Sequence, residues 1–140
     1  MKKIILFVIL MFMTACSNET MQGYLTVECV KEDSYNNVKN VNTVTIKHKD
    51  NDIVNIKYSY KYETEQSYIL DSYKQSLISE SNKYTSENIS INNNEENNYF
   101  EMIYDIDVSV INDIVKQDFE IQDLASNQIK LLEQKGYSCK

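Results

Sequence analysis

Cysteine offers the widest chemistry in this sequence, and there are three: Cys16, Cys29 and Cys139. Cys16 ends the tetrapeptide Met13-Thr14-Ala15-Cys16, which follows Lys2, Lys3 and an apolar run over residues 4–13. A basic start, a short apolar stretch and small residues before a cut site are the grammar of a bacterial signal peptide. A cysteine directly after the small residues makes it a lipobox. The expected chemistry is lipidation of the Cys16 thiol, removal of residues 1–15 and a new N-terminus at Cys16. A spanning helix is the competing reading, but it needs about 20 apolar residues, and Asn18 and Glu19 close this run. An ordinary secretory signal with a chance cysteine is the other. Met13 stands where leucine is usual, yet it is apolar and unbranched at Cβ. Two or three acyl chains, at about 0.8 kcal/mol per buried CH₂, give stable anchoring.

With Cys16 lipidated, Cys29 and Cys139 form an even pair outside the cytosol, where disulfides persist. A bridge between them would pin the end of the chain onto the first strand. A redox or metal pair is the alternative; there is no Cys-x-x-Cys and a single histidine, His48, so a four-ligand zinc site would need carboxylates or water. His48 lies in phase with Val44 and Ile46 and reads as a core or rim residue; no serine or cysteine stands near it in sequence as a dyad partner. Asp105-x-Asp107-x-Ser109 opens like a calcium loop, but Val110 replaces the glycine and Lys116 the final glutamate, both essential to an EF-hand. The triplet therefore reads as the solvent face of a strand. Asp50 with Asp52, and Glu95 with Glu96, read as turn residues. Tyr58, Tyr60 and Tyr62 alternate on one strand face and are either core under a helix or an aromatic binding surface. No catalytic residue, metal or cofactor is assigned.

Composition narrows the partners. The 140 residues include 14 lysines, no arginine, 21 acidic residues, 11 tyrosines, two glycines, no proline and no tryptophan. Loss of Lys2 and Lys3 with the leader takes the formal charge from −7 to about −9. That sign disfavours nucleic acid and anionic headgroups, and the absence of arginine removes the usual bidentate clamp for phosphate. A mature chain of about 125 residues suits one domain with a real core.

These side chains need elements to hold them. Residues 16–23 read as a lipidated N-terminus and polar tether, and residues 24–140 as a single domain. Leu25, Val27 and Cys29 alternate inward on a first strand, residues 31–40 read as a polar loop, and a second strand covers residues 41–49. Asp50-Asn51-Asp52 is turn chemistry. A third strand over residues 53–62 turns Val54, Ile56, Tyr58, Tyr60 and Tyr62 one way and Asn55, Lys57, Ser59 and Lys61 the other, the period-2 signature of a hairpin strand. From Thr64 as cap the period becomes helical to about Tyr84, with Tyr73, Leu77 and Tyr84, and Ile69 or Leu70, on one face. A short strand over residues 88–91, a polar turn over 92–98 and a long strand over 99–108 follow. Residues 110–115 form a turn or two of helix, and a last helix from Asp123 to Lys135 has Gly136 as its stop. The expected class is α+β: a twisted antiparallel sheet in the order β-β-β-α-β-β-α, with two main helices on one face.

The lipobox, the early Cys29, the strand Val44-Thr45-Ile46-Lys47, the run Ile56-Lys57-Tyr58-Ser59-Tyr60 and the ending over residues 131–140, with its Gly136-Tyr137-Ser138-Cys139, together resemble the YehR-like small bacterial lipoproteins. The biochemical function of that family is undetermined, so the resemblance implies location and fold and no site residues. The expected role is a non-enzymatic binding or accessory lipoprotein on the extracytoplasmic face of the cell membrane, with an envelope protein as partner. The arginine-free, low-GC composition leans towards a Gram-positive source with one membrane. A cell-envelope hydrolase using carboxylates and a small solute-capturing lipoprotein are the alternatives. About 125 residues do not fit the usual two-lobed solute-binding architecture.

Overall fold

Two pairs of Asn and Asp residues set the first three strands. Asn36 and Asn37, with φ of 50° and 62°, join β1 (Tyr24–Tyr35) to β2 (Val38–Lys49). Asp50 and Asn51, with φ of 50° and 79°, join β2 to β3 (Asp52–Glu63). Positive φ at both central residues belongs to the type I′ hairpin turn, whose twist matches the strands it joins. This computed structural model describes residues 23–140; the expected leader, the lipobox at Cys16 and the tether through residue 22 lie outside the described residues. Among the described residues, no helix is long and apolar enough to cross a membrane.

After β3 come α1 (Ser67–Ser81), a 3₁₀ turn (Asn82–Tyr84), β4 (Ile89–Glu96), β5 (Tyr99–Asp107), α2 (Asp113–Asp118), α3 (Ala125–Gln134) and β6 (Ser138–Cys139). The six strands form one sheet in the order β4-β5-β3-β2-β1-β6, every pair antiparallel. The class is α+β as expected, with one more strand and one more helix than the expected order contains.

Register explains the core. Ile91, Tyr104, Tyr58, Val44, Cys29 and Cys139 stand opposite one another across all six strands. Side chains in such a row share one face. Ile106, Ile56 and Ile46 make the next inward row and are fully buried. Leu70 of α1, Val115 of α2 and Ala125 and Leu132 of α3 join the same core cluster.

Three sequence expectations change. Residues 31–40 are not a loop: β1 and β2 continue through them to the Asn36-Asn37 turn. Their side chains are polar because the outer half of this hairpin is mostly exposed, while the strands are held by backbone pairing, which leaves no trace in hydropathy. Residues 92–96 are likewise strand, not turn; they belong to the exposed edge strand β4. Leu25 keeps the inward parity but is 64% exposed.

Smaller shifts have local causes. A bulge places Val54 between Ile53 and Asn55 with no partner on β2. The phase slips by one, so Ile53 is the buried residue there and Val54 is half-buried. Thr64 does not cap α1; its Oγ1 accepts the Gln66 N–H at 3.2 Å, and the helix starts at Ser67. Leu124 precedes α3 without a side-chain cap. The hairpin tip supplies one instead: the Ser126 N–H donates to Asn51 Oδ1 (2.9 Å) and the Ala125 N–H to the Asn51 carbonyl (2.8 Å). Two orphan donors of the helix start are thereby satisfied from 75 residues away. Gly136, φ 90°, ends the helix as expected, donating its N–H to the Glu133 carbonyl at 3.0 Å.

Candidate functional site

The residues singled out for chemistry are dispersed. Cys29 and Cys139 form a disulfide, their Cα atoms 3.9 Å apart. Glu28 and Lys140 exchange both backbone hydrogen bonds. Cys29 and Cys139 are therefore the next, non-hydrogen-bonded pair, where opposing side chains come closest. His48 pairs with Leu25 on one side and Ile53 on the other, and its Nδ1 is buried without a hydrogen-bond partner among the described residues. Asp105 accepts from Asn55 Nδ2 (2.7 Å) and lies 3.4 Å from Lys57 Nζ on the outer face. Asp107 Oδ1 accepts from the Ser109 hydroxyl and N–H, which hold its carboxyl below the usual range. Glu95 takes Lys74 of α1 on both oxygens at 2.6 Å, and Glu96 accepts from Tyr99. Among the described residues, no group of three or more His, Cys, Asp or Glu side chains is placed to hold a metal ion.

The aromatic residues, in contrast, converge. Tyr58 is buried in the core, whereas Tyr60 and Tyr62, further along β3, are half-buried. Tyr62 stacks on Tyr73 of α1 with ring centroids 4.3 Å apart. Phe119 closes the end of α2 and packs on Tyr58, Tyr84 and Tyr104 at 5.0–5.3 Å. Its position is fixed from two sides. The Tyr58 hydroxyl donates to the Phe119 carbonyl (2.9 Å), and Glu120 turns the chain in the left-handed region, φ 52°. Gln128 of α3, 1% exposed, accepts the Gln122 N–H at 2.7 Å and pins the loop that follows.

Between α1 and the end of α2 these rings leave a cavity of about 280 Å³. Tyr60, Tyr62 and Tyr104 come from the sheet, Leu77, Glu80 and Tyr84 from α1 and its 3₁₀ turn, and Asp118 and Phe119 from α2. Beyond Tyr60 and Phe119 a second hollow of about 110 Å³ continues towards Tyr137 and Lys135. The size is at the low end for small-molecule sites. A larger, more open depression of about 620 Å³ near the Val54 bulge is lined by strand ends, Lys47 and Asp107 among them. It contains no buried polar group in want of a partner among the described residues.

Electrostatics keep the cavity neutral at its floor and negative at its rim. Burial pushes the Tyr104 hydroxyl up to about 12, with the Glu80 carboxylate adding to the shift. Burial also takes Tyr84 to about 12, helped by its hydrogen bond to Asp118 Oδ2 (3.2 Å). Tyr60 is raised by burial and by the neighbouring Tyr137, Tyr104, Tyr62 and Tyr84. All are therefore protonated donors at neutral pH. Tyr104 is 2% exposed, and its hydroxyl has no protein acceptor among the described residues. The oxygen is not among the buried polar atoms that lack a partner, so it is open to the cavity, where water or a ligand can meet it.

Sequence reasoning placed Tyr60 and Tyr62 on one face but did not join them to Tyr84, Asp118 or Phe119. The available signals were the alternation at 58, 60 and 62 and the helical spacing of Tyr73, Leu77 and Tyr84.

No protein-family model and no curated protein sequence matches the chain. In solved structures it is similar to a protein from Streptococcus pneumoniae TIGR4 determined by NMR, at 14% identity and a TM-score of 0.56, over 84% of this chain and 85% of that one. At that identity the likeness is one of fold.

Proposed function

We propose that the chain is a YehR-like lipoprotein, anchored through Cys16 on the extracytoplasmic face of the cell membrane, that acts as a non-enzymatic binding protein of the cell envelope. The observation that carries the binding role is the tyrosine-lined cavity between the sheet, α1 and the end of α2. Location is supported by the lipobox and by the Cys29–Cys139 bridge, since disulfides persist where thiols are not kept reduced. The anchor would hold the cavity near the membrane: six residues of tether, 17–22, reach about 20 Å when extended.

Location and binding are tested separately. Wild-type protein should fractionate with the membrane at mature size, and Cys16→Ser should accumulate as unprocessed precursor or as released soluble protein. A Cys16→Ser chain that still sediments at mature size with the membrane would remove the anchor. Native mass spectrometry of protein extracted from its own membrane should show a small-molecule adduct, lost when Leu77→Trp fills the cavity. An adduct that survives Leu77→Trp would move the site elsewhere.

A further inference from the structure

The geometry points to an alkylammonium group, free or at the end of a larger molecule, as the ligand of the tyrosine cavity. This rests on the binding role proposed above and names its chemistry. Four tyrosines and Phe119 line the cavity, and no lysine does so among the described residues. An anion would meet the Glu80 and Asp118 carboxylates with no lysine to offset them among the described lining residues. A cation is attracted by the two carboxylates at the rim and, wherever it lies over a ring face, by the aromatic quadrupole. The two carboxylates differ. Glu80 is paired with Lys83, while Asp118 accepts only the Tyr84 hydroxyl and has no ion pair among the described residues. Asp118 is thus a charge without a counter-charge at the mouth of an aromatic hollow. The rim does not stand alone, because Tyr104, 2% exposed as a residue, lines the same space, and its hydroxyl, bonded to no other group among the described residues, can accept from an ammonium N–H. A trimethylammonium head fits within about 280 Å³, and the net negative charge of the chain favours its approach. Phosphate close to the cation would be disfavoured by Asp118 and Glu80, so the cationic end enters first.

The probes are choline, its neutral isostere 3,3-dimethylbutan-1-ol, and phosphatidylcholine vesicles, titrated into full-length protein with tyrosine ring resonances as the readout. Choline should bind saturably, with the isostere about tenfold weaker. Asp118→Asn, which keeps an acceptor for Tyr84 and removes the charge, should weaken choline by about tenfold and leave the isostere unchanged. Tyr60→Leu should weaken choline similarly, and Tyr60→Phe, which keeps the ring, should retain it. Glu96→Gln, at the far end of β4, should change nothing. Shifts with choline alone identify a soluble source, and shifts with vesicles as well identify a headgroup; either supports the proposal. Equal binding of choline and isostere, or equal losses in Asp118→Asn and Glu96→Gln, would overturn the cation while leaving a binding cavity in place. Binding of neither probe would overturn it too, and the adduct lost in Leu77→Trp would then decide separately whether the cavity binds anything.

Discussion

The two faces of this sheet are made from alternate residues of the same strands, one step of register apart, and they differ in almost every property. Ile106, Ile56 and Ile46 stand side by side on the inner face with no solvent exposure. Asp105, Lys57 and Thr45 form the adjacent row on the outer face, where Lys57 and Asp105 pair at 3.4 Å in solvent. Exposed ion pairs of this kind contribute little. The inner face therefore carries the stability and the cavity, and the outer face mainly keeps the sheet soluble.

That contrast can be broken experimentally, starting where the effect is largest. Replacing both Cys29 and Cys139 by Ala removes the one covalent element of the inner face. In the chain-entropy model a loop of 110 residues contributes about 4–5 kcal/mol, so denaturant midpoints should fall sharply and to the same value as reduced wild type. A loss near zero would mean that the β1–β6 pairing and α3 hold the tail unaided. Next, Ile56→Ala should cost about 2–5 kcal/mol in chemical unfolding, the range for emptying a packed site. A cost close to that of its outer neighbour would mean that the two faces do not divide the work as described.

The third prediction uses pH. Tyr104 and Tyr84 are held up to about 12 by burial, against about 10 in an unfolded chain. A folded value above the unfolded one favours the protonated native state, so this stabilisation is complete below pH 10 and is lost as pH rises from about 10 to 12. Thermal melts should be flat from about pH 7 to 10 and fall beyond it, together with late-titrating tyrosinate absorbance. Tyrosinate appearing in one step near 10 with the fold intact would contradict the burial of these rings. The smallest effect belongs to the outer face: Lys57→Ala should change stability by under about 0.5 kcal/mol.

Legibility in the sequence follows the same division. The β2–β3 hairpin was readable because its inner residues alternate against a solvated face and because Asp and Asn occupy the turn. The bulge at Val54 was not, since an unpaired residue alters register without altering composition. The polar halves of β1 and β4 carry no hydropathy pattern, and their pairing is held by backbone groups that every residue shares. The disulfide was legible because cysteines are few. The cavity was not, because its walls come from residues 60, 62, 77, 80, 84, 104, 118 and 119. Those segments meet only after α1 and α2 settle on the sheet. The cap that Asn51 provides for α3 was hidden for the same reason, being a contact across 75 residues of chain.

The bridge also decides what a protease can do to this molecule. Cys29 and Cys139 close a covalent ring, and every element from β2 to α3 lies inside it. The exposed tip at Asn36-Asn37 is the kind of site where nicking begins. A single cut there opens the ring without freeing either part, so the nicked protein migrates as one species until a reductant is added and as two afterwards. Release of a fragment from the bridged chain requires two cuts within the ring or one cut outside it. The linkage turns a first proteolytic event into a silent one.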